Sequence, residues 1–191
     1  MTTRLRLAAL LAAACATPCL GAETYGIDPV HSTIIFRIKH LGVSYLYGRF
    51  NKVQGTLFLD DEDPSKSKIS VEVTAASVDT GNQKRDDHLR GPDFFNVKQF
   101  PKITFKSTKV KKTGEAIYEV TGNLSLHGKT KQITVRATRV GTGPDPWGGH
   151  RTGFELVFRV KRSDFGMNYM QGEKGIGDEV RLIVGIEAVR K

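Results

Sequence analysis

The chain has only two cysteines, Cys15 and Cys19, and both fall before residue 22. Removal of that segment leaves no thiol, which excludes disulfide staples, thiolate catalysis and cysteine-ligated metals from the remainder. Long apolar runs are also missing. The one stretch of this kind, Leu7 to Leu20, is interrupted by Pro18 and is shorter than the roughly 20 residues that a bilayer-spanning helix requires, so no stable membrane insertion is expected. The five histidines, His31, His40, His88, His127 and His150, nowhere have the close spacing of metalloenzymes or zinc fingers, and no metal site is expected. His127 and His150 read as surface turn residues. No nucleophile elbow with an oxyanion hole is present, so no catalytic residue is assigned, and His31 beside Asp28 and Ser32 reads as a cap on the first strand. The glycines of GEKGIG, Gly172 to Gly177, have no strand–turn–helix context for a dinucleotide and read as turn residues.

The amino terminus does carry a pattern. Arg4 and Arg6 precede the apolar run, and Gly21 and Ala22 follow it, which is the arrangement of a secretory signal peptide over residues 1–22 with one mature domain over residues 23–191. A lipid anchor on a leader cysteine is the less favoured reading, because Ala12 stands where such signals usually have Leu and Pro18 directly precedes Cys19. The formal charge of +9 falls to +7 when Arg4 and Arg6 leave with the leader. The basic residues are scattered rather than clustered, so nucleic acid is not expected as a partner; the balance reads first as a solvated basic surface, and anionic lipid headgroups are the acidic partner that an exported chain would meet.

Beyond the leader the dominant signal is alternation. Eight strand-like segments cover roughly 25–40, 48–60, 68–78, 102–112, 115–126, 130–140, 151–162 and 179–190. Apolar residues at period two, such as Ile34, Phe36 and Ile38, or Phe154, Leu156 and Phe158, face Thr, Ser, Lys, Arg and Glu on the other side. Strands with one dry face and short turns, a Gly-Val-Ser turn after His40 among them, belong to an antiparallel up-and-down barrel or sandwich. The long interruption from Thr80 to Pro101 predicts a short helix capped by Asn82 or Thr80 and ended by Gly91-Pro92, then another turn capped by Asp93 and carrying Phe94, Phe95 and Val97. That piece would cover one barrel mouth. The irregular stretch Ser163 to Asp178 is expected to close the other mouth or to lie beside it. An eight-stranded barrel can be solid or can hold one ligand, and alternation alone does not choose between them.

Four motifs carry a resemblance. YGIDPVHSTIIFRIKHLGVSYLYGRF (Tyr25 to Phe50), LRGPDFFNVKQFPKITFKST (Leu89 to Thr108), GNLSLHGKTK (Gly122 to Lys131) and FGMNYMQGEKGIGDEV (Phe165 to Val180) resemble the landmarks of the YceI-like family of secreted bacterial proteins, in the same order. The resemblance implies an all-β fold with short helices, an eight-stranded antiparallel lipocalin-like β-barrel with a central apolar cavity. It implies a periplasmic protein without cofactor or catalytic residue that carries a polyisoprenoid-like lipid, such as a polyprenyl diphosphate, a quinone or a fatty amide. It further implies that a homodimer can form. The residues expected to line the cavity are Ile34, Phe36, Ile38, Leu57, Val71, Phe94, Phe95, Phe105, Leu124, Phe154, Leu156, Phe158, Leu182 and Val184. Arg85 and His88, close before Phe94-Phe95, are expected to meet the headgroup, with a helix surface that only anchors the loop as the alternative. Two competing readings are an enzyme acting on a lipid headgroup through His88, Asp86 and Arg85, and a solid-core barrel that binds a partner protein. Burying ten methylenes at about 0.8 kcal/mol each gives about 8 kcal/mol gross, near micromolar affinity before ordering costs.

Overall fold

The alternating segments close into an antiparallel barrel of eight walls, as the pattern and the resemblance predict. The computed structural model describes residues 21–191, and the predicted signal peptide lies, apart from Gly21 and Ala22, outside the described residues. Three walls are broken strands: β1 (Glu23–Ile27) with β2 (Thr33–His40), β3 (Ser44–Phe50) with β4 (Val53–Leu59), and β5 (Lys68–Thr74) with β6 (Val78–Asp79). The other five, β7 (Lys102–Lys112), β8 (Ile117–Leu126), β9 (Lys129–Pro144), β10 (His150–Lys161) and β11 (Ile176–Arg190), are continuous. Each wall pairs with the next, and β11 pairs with both β1 and β2, which closes the ring.

The segments 25–40 and 48–60 are thus not continuous strands, and the reason is local chemistry. Pro29 offers no amide hydrogen, while Asp28 accepts the Val30 and His31 amides at 2.9 and 3.4 Å, so the chain turns between β1 and β2. At the second break the Asn51 amide donates to the Ser77 carbonyl and the Lys52 amide to Ser77 Oγ, each at 3.1 Å, beside the 3₁₀ turn Ala75–Ser77. Neighbouring walls therefore bend at one level. The first hairpin turns at Leu41-Gly42-Val43 rather than at Gly-Val-Ser, with φ of 51° and 75° at Leu41 and Gly42. β9 runs past residue 140 because Gly141, Gly143 and Pro144 pair with β10, and β11 starts at Ile176 opposite His40, which makes Gly177 a strand residue.

Asn82 caps α1 (Gln83–Arg90) by accepting the Arg85 amide at 3.0 Å, and Gly91 ends the helix. The residues after it form tight turns rather than a capped helical turn, with the Phe94 and Asn96 amides both returning to the Gly91 carbonyl. Asp93 caps nothing there and reaches His88 Nε2 at 2.9 Å. The 162–175 connection packs at the same mouth as α1, not at the opposite one. Its Tyr169 ring meets His88 and Phe94 edge-on, with centroids 5.0 and 5.3 Å apart. In an up-and-down barrel the connections alternate between ends, so those after the third and the seventh wall must share one. We call this the helix end. His127 belongs to it as well: half-buried, it packs on Phe100 and its Nδ1 lies 2.9 Å from the Phe165 carbonyl oxygen, so it is not a plain surface residue.

At the far end a clasp joins the β1–β2 break to β10 and β11. Arg151 Nη1 donates to Asp28 Oδ2 at 2.7 Å and to Glu187 Oε1 at 2.6 Å, and His31 Nδ1 lies 2.8 Å from Asp28 Oδ2. Asp28, His31 and Glu187 are close enough together to hold an ion, but the guanidinium fills the space between the carboxylates. The bonds from His31 and Arg151 hold the Asp28 carboxyl well below the ordinary carboxylate range. A carboxyl lowered in the folded state contributes stability above its unfolded pKa of about 3.9 and loses it as pH falls further. Thermal midpoints should therefore fall from pH 5 toward pH 2, and Asp28→Asn should flatten that slope in a melting series.

Candidate functional site

Every second residue along the walls points inward, and together these side chains enclose a cavity of about 650 Å³. Cavities of roughly 300–1,000 Å³ are the size that encloses a small-molecule ligand. The solid-core reading therefore does not describe this barrel. Ile34, Phe36 and Ile38 from β2, Leu57 from β4 and Val71 from β5 border the cavity on one side. Phe105 and Leu124 from β7 and β8 border it on another. Phe154, Leu156 and Phe158 from β10 and Leu182 and Val184 from β11 complete the ring. Phe94 and Phe95 reach the cavity from the turns after α1, and Phe95 packs edge-on against Phe50 at 5.4 Å. The cavity is a tunnel along the barrel axis, because its lining includes His88 and Tyr169 at the helix end and Asp61, Ser67 and Arg139 at the far end. A wall of 11 residues such as β7 spans roughly 35 Å.

Arg85 and His88 do border the helix end of the tunnel, but their hydrogen bonds go to the protein itself. Arg85 donates from Nε to Thr80 Oγ1 at 2.7 Å and from Nη2 to the Thr80 carbonyl at 3.0 Å. His88 is joined to Asp93 and sits between the Phe94 and Tyr169 rings. Asp86 is buried and accepts from the Thr80 amide and hydroxyl at 2.9 and 2.6 Å. Asp86 therefore does not meet His88, and the proposed acid–base cluster is not assembled.

The polar group that the sequence reading missed lies at the other end. Arg139 continues the inward row of Ile133, Val135 and Ala137 on β9, and its guanidinium lies 5.3 and 5.4 Å from the centroids of the Tyr118 and Phe154 rings. It donates from Nη1 and Nη2 to the two carboxylate oxygens of Asp61 at 3.1 and 2.8 Å. Burial works against the charge, but the Asp61 hydrogen bonds and the attraction of its carboxylate raise the Arg139 pKa above its ordinary value. The Arg139 side chain is 15% exposed and the Asp61 side chain 58%, so the pair sits with its cation inside and its anion at the rim. Arg139 Nε is buried without a hydrogen-bond partner, and among the described residues the Tyr118 hydroxyl makes no hydrogen bond either. Period-two parity carried through to residue 139 was the available signal.

Residues 25–188 match the model of the YceI-like domain. The chain belongs to the YceI-like family. Its curated relatives include a UPF0312 protein of Pseudomonas aeruginosa, 45% identical over 172 residues that cover 89% of this chain and 88% of the relative. Another, from Yersinia pestis, is 46% identical over 171 residues that cover 88% of each. Among solved structures the barrel is similar to BcnA of Burkholderia cenocepacia, with a TM-score of 0.74 and 27% identity over 84% of this chain and 98% of that one. It is also similar to the YceI protein of Campylobacter jejuni, with a TM-score of 0.72 and 33% identity over 80% of this chain and 90% of that one. A polyisoprenoid binding domain from Saccharophagus degradans has the same fold, with a TM-score of 0.67 and 15% identity over 87% of this chain and 98% of that one. Among the described residues no helix is long and apolar enough to cross a membrane.

Proposed function

We propose that this YceI-like chain is exported to the periplasm and there carries or sequesters one long-chain amphiphile, a polyisoprenoid or a similar lipid, without changing it chemically. The apolar tunnel along the barrel axis carries this reading. The predicted lining residues would hold the tail by burial alone, so selection would rest on chain length and bore. The polyisoprenoid binding domain on the same fold supports the ligand class.

For the headgroup, the hydrogen bonding favours the far end over Arg85 and His88. The latter two are engaged with Thr80 and Asp93, whereas at the far end the Tyr118 hydroxyl makes no hydrogen bond among the described residues and Arg139 borders the cavity. Polar groups beside an apolar cavity are satisfied when a ligand oxygen arrives. The Arg139–Asp61 pair is close to neutral, which suits a quinone or amide carbonyl; a diphosphate would have to displace the exposed Asp61. Displacement of an apolar fluorophore by long-chain ligands tests both statements. The protein should bind such ligands at micromolar concentration or better. Arg139→Met should weaken an oxygen-headed ligand at least about tenfold, in line with about 1.5–3 kcal/mol for a hydrogen bond to a charged group, and leave a plain hydrocarbon unaffected. Arg85→Gln should change neither. The reverse ranking would return the headgroup to Arg85 and His88, and no uptake at all would end the carrier reading.

A further inference from the structure

Large apolar side chains are exposed toward both ends: Val30, Val140 and Trp147 stand separately toward the far end, whereas four others are linked. Leu41 and Val43 at the tip of the first hairpin are 45% and 83% exposed, and Tyr169 and Met170 in the 162–175 connection are 37% and 52% exposed. All four stand at the helix end. They form one rim, because the Leu41 amide donates to the Gly175 carbonyl at 2.7 Å and so fixes the hairpin tip to the connection. Tyr169 and Met170 also line the tunnel, so the rim and the cavity share an apolar path.

The outer face beside this rim has an unusual charge pattern. Arg159, Arg181 and Arg37 stand abreast on β10, β11 and β2 in direct register, and Tyr47 follows on β3. Like charges directly opposite one another on a sheet repel, and among the described residues only Arg159 of the row has a carboxylate partner, Glu179 at 3.2 Å. Arg37 lies 3.9 Å over the exposed Tyr45 ring, and the Nε atoms of Arg37 and Arg181 are buried without hydrogen-bond partners. Lys39 is exposed on the same face opposite Tyr45. Cations interleaved with tyrosines next to an apolar edge are the composition of a surface that rests on anionic headgroups, with the aromatic rings at the interface and the apolar tips below it.

We propose that the helix end docks reversibly on an anionic lipid bilayer, with Leu41, Val43 and Met170 entering the headgroup layer and Arg37, Lys39 and Arg181 lying against its phosphates. This rests on the lipid-carrying reading and adds to it the entrance. A lipid drawn upward from such a surface moves headgroup first, which would bring the headgroup to Arg139 and Tyr118 at the far end and leave the tail along the tunnel.

The test is co-sedimentation of the purified protein with vesicles of phosphatidylethanolamine and phosphatidylglycerol, with phosphatidylcholine vesicles for comparison. Binding is expected to the first and to be at least tenfold weaker to the second. Val43→Glu, whose side chain is exposed and outside the tunnel lining, should lower vesicle binding at least tenfold and leave fluorophore uptake in solution unchanged. Arg37→Gln and Arg181→Gln should each lower it about fivefold, the effect expected of one basic residue at such a surface. Normal uptake with no preference for anionic vesicles overturns the docking proposal and leaves the carrier reading standing. A wild-type dimer in sedimentation velocity that Val43→Glu splits, with vesicles ignored, also overturns it and assigns the rim to contact between copies. Failure of uptake in the wild type strikes the carrier reading and with it the entrance role, and anionic-vesicle binding that Val43→Glu removes would then support the docking surface by itself.

Discussion

Leu156→Trp is expected to lower ligand affinity at least about tenfold and to leave the barrel folded. Leu156 lies midway along β10, opposite Ala137 on β9 and Val184 on β11, and faces the tunnel. A larger side chain there grows into empty space. In a packed core, added volume forces strained rotamers and costs about 1–3 kcal/mol; in a hollow barrel the added apolar area is buried at little strain, and only the indole N–H lacks a partner. The variant should therefore melt within a few degrees of the wild type while its affinity for a long-chain fluorophore falls at least about tenfold. Unchanged affinity with a sharply lowered melting temperature would mean that ligands bind elsewhere and that the interior does not tolerate filling.

Arg162→Met is the substitution expected to cost the most stability. Arg162 is 3% exposed and donates from Nε to the Gly177 carbonyl at 2.8 Å, from Nη1 to Met167 at 2.7 Å and from Nη2 to Ile176 at 2.9 Å. Burial lowers its pKa and the Asp178 charge opposes that, so the cation is held where it is poorly solvated. Methionine fills the volume but leaves three carbonyls without a donor, at about 1–3 kcal/mol for each one left buried. A net loss of roughly 3–5 kcal/mol is a large part of the 5–15 kcal/mol that a domain of this kind has, and corresponds to about 10–15 °C in melting temperature. Because these carbonyls pin the connection that carries Tyr169 and Met170, protease cleavage between residues 163 and 175 should rise as well. A melting temperature within 2 °C of the wild type would show that water replaces the guanidinium at no cost.

The walls were legible because each keeps one dry face, and alternation survives the breaks: Ile34, Phe36 and Ile38 stay inward on β2 even though Asp28 and Pro29 interrupt the strand before them. The breaks themselves were not read, since they depend on side-chain capping by Asp28 and Ser77 rather than on hydrophobicity. The end of β9 was missed for a related reason. Gly141, Gly143 and Pro144 have weak strand preference, and pairing with β10 overrides it. The location of the second irregular stretch could have been derived, because connection parity fixes it once the walls are counted. The polar positions were hardest. Arg85, Asp86 and His88 are adjacent in sequence, but the helix turns Asp86 toward Thr80 and His88 toward Asp93. The pair of Arg139 and Asp61, far apart in sequence, meets only when the barrel closes.

The central statement is that the tunnel holds a lipid tail. The most direct measurement is organic-solvent extraction of the protein purified from its native host, followed by mass spectrometry of the extract beside that of an unrelated protein purified in the same way. The tunnel predicts one unaltered prenyl or acyl lipid at near-stoichiometric amount, absent from the control. An extract as empty as the control, from protein that also fails to take up a long-chain lipid offered in solution, would contradict it.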